Sequence, residues 1–266
     1  MTKYIFLVLL FTCNFVQAGS GCSFKKWDVY QGSQLLQEKP KGAYIFATTK
    51  VKVDADGAPN AYHPDDVGLH CTKGTGFKGL DCPQNGGYPK SSWWRSAIVP
   101  DPKNNDKGYI QPDGTFKGYF VSQTSLQDRS KSNLDTSKYV NSTAIPYLVF
   151  PGEFNSMSGT GSVGDLGYAL NLENGKGSAF IVAEVGPSNA HLGEVSIFLG
   201  DALGGDNPNP RTGAGVPTGK VVYIVFPYSK GSPSWPVSLT EINSKATSLL
   251  DTVGGVAALK NCVDIL

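Results

Sequence analysis

Charge is scarce in this chain. Of 266 residues 17% are charged, and 23 Lys and Arg meet 22 Asp and Glu for a formal net charge of +1. Nucleic-acid binders usually carry a basic stripe, so this balance argues against that class. Histidine is rarer still: His63, His70 and His191 are the only three, and their spacing fits no zinc site. A calcium loop is absent as well. VDADGAPNAYHPDD (53–66) breaks the required D-x-[DN]-x-[DN]-G spacing and lacks the bidentate Glu. No G-x-S-x-G elbow occurs, which removes the commonest serine-hydrolase signature. The Gly-rich stretch 159–167 lacks a P-loop lysine and a Rossmann context. These absences make metal binding unexpected. Beyond residue 18 no run approaches the ~20 apolar residues of a spanning helix, so a membrane protein is not expected.

What is present begins with a leader. Lys3 precedes an apolar stretch from Tyr4 to Val16, and Val16-Gln17-Ala18 has the small-residue form of a cleavage site. Residues 1–18 read as a secretory signal peptide, and 19–266 as a single extracellular domain. A lipoprotein reading competes at Gly19-Ser20-Gly21-Cys22, but Gly stands where a lipobox wants a branched aliphatic. Lipidation would also strand one of the remaining cysteines. Once Cys13 leaves with the leader, Cys22, Cys71, Cys82 and Cys262 form an even set in an oxidising compartment. Pairing Cys71 with Cys82 would staple a local loop, and pairing Cys22 with Cys262 would tie the termini. Four cysteines admit three pairings, and sequence alone does not choose.

Glycine (32) and proline (17) are abundant, which suits short strands joined by many turns. Residues 19–41 read as irregular. Strands are expected at 43–53, 117–122, 145–150, 168–172, 178–185, 195–199 and 221–226. Residues 54–92 read as a long loop, which is usually functional or stapled. One helix is marked by a capping box, Ser238-Leu-Thr-Glu241, followed by apolar residues at helical spacing and closed by Gly254-Gly255. Within 164–204 a strand leads through Asn174-Gly175, a strong hairpin signal, into a second strand ending in acid-x-Gly-Pro. A third strand and a short helical segment at 200–204 follow. That order resembles the core of double-psi β-barrels, found in expansin-like domains and certain cellulases. The expected fold is mainly β: a six-stranded double-psi-like barrel with long loops and a C-terminal helix.

The carboxylates carry the chemical question. Glu184 ends an apolar strand, Gly186-Pro187 turns the chain, and Glu194 comes ten residues later. Glycoside hydrolysis needs two such groups flanking the scissile bond, one protonated and one ionised. Desolvation at the end of a buried strand would raise the pKa of Glu184. The plainer reading of either acid is a solvated strand end. Asp165, between Gly164 and Gly167, is a third candidate, with an Asx turn as its plainer reading. Trp93, Trp94, Tyr88, Tyr119 and Trp235 could stack on sugar rings. Asn141-Ser142-Thr143 is a glycosylation sequon.

Several stretches together resemble the chitosanases of glycoside hydrolase family 75. They are VDADGAPNAYHPDD (53–66), GLD (79–81), NGGYP (85–89), KGYFVSQTSLQD (117–128), YVNSTAIPYLVFPG (139–152), VGDLGYALNLENGK (163–176), VAEVGPSNAHLGEVSIFLGDALGG (182–205) and GKVVYIVFP (219–227). The resemblance spans most of 43–227. It implies endo-hydrolysis of β-1,4-linked glucosamine polymers with inversion, by a monomeric secreted enzyme without a cofactor. It places the catalytic pair on Glu184 and Glu194, with Glu194 as acid and Glu184 as base. In that family the first position is often Asp, so Glu184 reaches further by about one methylene. Misplacement on the 1 Å scale can cost about a hundredfold, which makes Asp165 the reserve. Chitosan carries ammonium groups, and Asp54, Asp56, Asp65, Asp66 and Asp201, with Tyr119, are the expected substrate contacts. A non-hydrolytic expansin-like binding module and a lytic enzyme on another wall glycan are the alternatives.

Overall fold

A computed structural model describes residues 21–69, 71, 82–84 and 86–266. The expected signal peptide at 1–18 and the GLD segment at 79–81 lie outside them. Among the described residues the strands are β1 (Lys25–Tyr30), β2 (Ser33–Gln37), β3 (Tyr44–Thr48), β4 (Lys52–Asp54), β5 (Pro100–Asp101), β6 (Asn104–Gly108), β7 (Tyr147–Pro151), β8 (Leu166–Asn171), β9 (Gly177–Gly186), β10 (Glu194–Ser196) and β11 (Val221–Phe226). The α-helices are α1 (Gly152–Ser156), α2 (Ile197–Ala202), α3 (Leu239–Thr252) and α4 (Gly255–Lys260).

Nine of these strands form one mixed sheet in the order β1-β2-β3-β11-β8-β9-β7-β10-β4, and β5 and β6 pair separately. Pairing is antiparallel except for β7 with β9 and β10 with β4. The protein is therefore mainly β with a C-terminal helix, but the expected six-stranded closed barrel is not what these pairings build. Nine strands take part, and the edge strands β1 and β4 do not pair with each other among the described residues.

The central strands are buried on both faces, so they read as continuous apolar runs rather than alternating ones. In β11, Val221, Tyr223 and Val225 join one core cluster, while Val222, Ile224 and Phe226 join another. The first cluster also takes Tyr44, Phe46, Leu148, Phe150, Phe180 and Val182, from β3, β7 and β9. The opposite face is covered by α3. Ile242 and Ala246 pack against Tyr147, Val149, Ile181 and Ala183, and Leu250 packs with Ile45, Val222 and Ile224. The capping box forms as the sequence predicts: Ser238 Oγ accepts from Glu241 N and the Glu241 carboxylate accepts from Ser238 N. Gly254, at φ +98°, ends the helix in the left-handed region that glycine tolerates.

Four expectations are corrected. Residues 25–37, read as irregular, form the β1–β2 hairpin, turned by Gln31 and Gly32 at φ 46° and 81°. The run 43–53 breaks after Thr48 into β3, near the middle of the sheet, and β4, at its edge. Residues 117–122 form only isolated bridges, Ile98 with Ser122 and Ile110 with Phe120. The strand expected at 195–199 turns helical after Ser196, because its Oγ accepts from Leu199 N and caps α2.

The disulfides are Cys22–Cys262, 240 residues apart in sequence, and Cys71–Cys82. Such bonds fit an oxidising compartment. No described helix is long and apolar enough to cross a membrane.

Candidate functional site

Glu184 and Glu194 are brought together by sheet register. In the β7–β9 pairing Leu148 faces Val182, yet the next residue, Val149, faces Glu184, so Ala183 is an extra residue on β9. Such a bulge re-aims the side chain beside it. On the other flank of β7, Val195 of β10 faces Leu148. Continuing that antiparallel register by one residue sets Glu194 against Val149. Glu194 in turn faces Lys52 of β4. The row across the sheet is Glu184, Val149, Glu194, Lys52, and residues in one row share one face. Two strand spacings put the Cα atoms of the two glutamates about 10 Å apart.

Along this row opens a cleft of about 810 Å³, lined among others by Asp54, Asp56, Tyr62, Trp93, Glu184 and Glu194. Gly186 forms part of its floor. A Cβ there would lie 3.1 Å from Val149 Cγ1 and 3.8 Å from Glu194 Oε2. The Glu194 carboxylate thus reaches over Val149 towards β9. Gly186 is not among the positive-φ glycines, and an added Cβ would press on Val149 by a few tenths of an ångström.

The loop joining the two acids is held at several points. Gly152 N donates to Pro187 O (3.3 Å) and Glu153 N to Ser188 O (2.9 Å). The Tyr30 hydroxyl donates to the same Ser188 oxygen at 3.1 Å. His191 Nδ1 lies 3.2 Å from Gln31 O. The helix α1 and the β1–β2 hairpin therefore fix the turn that separates the glutamates.

Glu184 is 6% exposed. Its carboxylate accepts from Ser125 N (2.8 Å), Ser125 Oγ (2.5 Å) and its neighbour Val185 N (2.7 Å). Those donors favour the ionised form. Burial opposes them and dominates, and with the charge of Asp54 it pushes the Glu184 carboxyl up to about 8. Asp54 is itself raised to about 6 by burial, against the hydrogen bonds that reach it. Its Oδ1 accepts from Asp56 N at 3.0 Å, and the Tyr147 hydroxyl lies 3.1 Å from its Oδ2. Asp56 accepts from the Tyr62 hydroxyl. The loop 209–213 lines the cleft as well. It is pinned by the buried Arg211 guanidinium, which donates to Cys82 Sγ (3.2 Å), Ala61 O (3.3 Å) and Leu69 O.

Asp165 lies elsewhere. It is fully buried, its Oδ2 accepting from Ser162 N (2.8 Å) and its Oδ1 from Lys230 N (3.0 Å), and it does not line the cleft. Nor do four of the expected substrate contacts. Asp65 is exposed beside His63. Asp66 is buried and accepts from Gln84 N. Asp201 is exposed on α2 and accepts from Asn207 N. Tyr119 packs edge-on against His63. Of the expected stacking aromatics only Trp93, 43% exposed, lines the cleft; Trp94 is fully buried, and Trp235 is a core residue. Among the described residues no cluster of three His, Cys, Asp or Glu could hold a metal ion.

Sequence reasoning missed Ser125, Tyr62, Tyr147 and Arg211 as site residues. Ser125, Tyr62 and Tyr147 lie within the quoted stretches 117–128, 53–66 and 139–152, which was the available signal; Arg211 lies in none of them. A scan against protein-family models matches none of them, and a search of curated proteins finds no significant match.

Proposed function

We propose that this protein is a secreted, endo-acting chitosanase that cleaves β-1,4 bonds between glucosamine units with inversion. The observation that carries the reading is the pair Glu184 and Glu194, two strands apart across Val149 on one wall of one cleft. Inverting enzymes set their carboxyl groups roughly 6.5–9.5 Å apart, leaving room for a water, and the spacing of the two backbones accommodates that. Asp54 and Asp56 give the cleft negative charge for a cationic polymer, and Trp93 offers an exposed ring face for a sugar.

The roles follow from environment, and they reverse the assignment implied by the resemblance. Burial keeps Glu184 protonated in neutral solution, so it is the general acid. It gives its proton to the leaving glycosidic oxygen as the C1–O bond breaks. Glu194, partly exposed, is the base. It takes a proton from the water that attacks C1 on the opposite face. On product release Glu194 gives the proton it took to solvent and Glu184 regains one from solvent, which closes the cycle. Asp165 is a turn residue in this reading.

The test is reducing-end release from highly deacetylated chitosan, with chitin and carboxymethylcellulose alongside. Wild type is expected to cut chitosan, and Glu184→Gln and Glu194→Gln to lose about 10²–10⁴ in kcat. Binding of chitosan without new reducing ends would replace this reading with an expansin-like module. Clearing of peptidoglycan with chitosan untouched would replace it with a lytic enzyme.

A further inference from the structure

Ser125 meets Glu184 on both carboxyl oxygens. Its N–H donates to Oε2 at 2.8 Å, and its hydroxyl donates to Oε1 at 2.5 Å. Val185 N also donates to Oε1, at 2.7 Å, and lies 3.3 Å from Ser125 Oγ. The bulge on β9 builds this contact. Ala183 is the extra residue there, and its carbonyl oxygen accepts from Leu126 N at 2.9 Å. Thr124 anchors the other side of Ser125, its Oγ1 accepting from Val140 N (3.0 Å) and donating to Leu126 O (2.7 Å). Thr124 and Leu126 are buried, whereas Ser125 between them is exposed. Packing therefore fixes the backbone of this segment without requiring a hydroxyl at position 125. Among the described residues that hydroxyl bonds to nothing besides Glu184 and Val185.

We propose that Ser125 is a positioning residue that acts through Glu184, fixing the rotation of its carboxyl group and leaving one site, on Oε2, for the transferred proton. The inference rests on the reading of Glu184 as the general acid. A carboxyl group has about two lone-pair sites on each oxygen. Oε1 has both taken, by the Ser125 hydroxyl and Val185 N, while Oε2 has one taken, by Ser125 N. The acidic proton therefore sits on Oε2. When it passes to the leaving oxygen, negative charge develops on a carboxylate whose three donors are already in place. Donors aimed in advance at developing charge need no rearrangement as the reaction proceeds. Burial favours the proton's arrival, and the donors favour its departure. The other ionisable groups around Glu184 are Lys52, Asp54, Asp56, Tyr62, Glu194 and Arg211 along the cleft, with the Tyr147 phenol. None of them bonds to Ser125 among the described residues, so replacing its hydroxyl leaves their bonds intact.

The experiment compares wild type, Ser125→Ala and Ser125→Thr. Alanine keeps the N–H and removes the hydroxyl; threonine keeps both. Initial rates on chitosan are measured from pH 4 to pH 10, with an NMR titration of the Glu184 carboxyl carbon in the absence of substrate. In Ser125→Ala kcat is expected to fall roughly 10- to 100-fold, the worth of one hydrogen bond to a charged group, with KM unchanged. The lost donor also raises the Glu184 titration and the alkaline limb of kcat by about one pH unit. Ser125→Thr restores both. A purely structural serine would not move the limb. In wild type the amide protons of Ser125 and Val185 should titrate with the same midpoint as Glu184, and this decides the matter if Ser125→Ala does not fold. Amide protons that ignore Glu184, an unmoved Glu184 curve in Ser125→Ala, or equal losses in the alanine and threonine variants would overturn the proposal. The NMR shifts without any chitosan cleavage would leave Ser125 as the partner that orients Glu184 and remove the chitosanase reading instead.

Discussion

Glu184 and Asp165 are both buried acids at the ends of β-strands, and their surroundings separate them. Asp165 has one backbone donor on each oxygen and no opening to the cleft. It closes a turn, and its neighbourhood is finished. Glu184 has three donors, but it also opens on a cleft of about 810 Å³ that Asp54 and Glu194 line as well. Its neighbourhood leaves an unresolved tension over a proton and a place for another molecule to settle it. Burial alone therefore does not distinguish a candidate catalytic acid from a structural one. What distinguishes them is whether the charge is fully compensated inside the protein.

The sharpest way to break this contrast is a pair of substitutions. Glu184→Gln should lower kcat on chitosan by about 10²–10⁴. Asp165→Asn should leave kcat within a few-fold but destabilise the fold by about 1–3 kcal/mol, because its amide group cannot accept from both Ser162 N and Lys230 N. Thermal melts and initial rates on the same preparations check both. The reverse pattern would move the acid to Asp165.

Next in size is Gly186→Ala. Gly186 lacks the positive φ that would strain a side chain, so the fold should survive. The added methyl would crowd Val149 Cγ1 and the space before Glu194. A drop in kcat of about a hundredfold is expected, with the far-ultraviolet circular dichroism unchanged. Equal rates would show that the gap between the two acids is not where water or sugar sits.

The pH dependence of stability is a quieter test. A carboxyl whose pKa is raised on folding binds its proton more tightly in the native state. Its stabilising effect is full below the unfolded value, near 4.5, and is lost as pH rises through about 8. The melting temperature of wild type should therefore fall, relative to Glu184→Gln, between about pH 5 and pH 8. A constant difference across that range would mean Glu184 ionises as an ordinary surface acid. The smallest effect belongs to Trp93→Ala. Loss of an exposed ring is worth about 0.5–1.5 kcal/mol, or roughly a 2- to 10-fold rise in KM with kcat unchanged.

Much of the frame could be read before the structure. The capping box at Ser238, the limits of β11 and the hairpin at Asn174-Gly175 depend on neighbours within a few residues, and local signals report them. The proximity of Glu184 and Glu194 could also be read, since a tight loop joins their strands. Less accessible was anything set by distant partners. Lys25, Lys26 and Asp28 make β1 look like a loop because it is an exposed edge strand with a bulge. The break after Thr48 sends two halves of one apolar run to different parts of the sheet. Ser125 reaches Glu184 from 59 residues away. Tyr147 reaches Asp54 from 93 residues away. No periodicity marks a hydroxyl as the partner of a particular acid; sheet register does.

The Cys22–Cys262 bond joins residues 240 positions apart whose Cα atoms lie 4.6 Å from each other. With it in place the chain between them is a covalent ring. A protease that cuts one exposed loop, such as the tip near Asp113 and Gly114, would open the ring without releasing a fragment. The two pieces would remain joined through the bridge and through the sheet. Separation would require a second cut or a reductant. Wherever the protein meets proteases, such a ring converts a single cleavage from loss of the molecule into a tolerated nick.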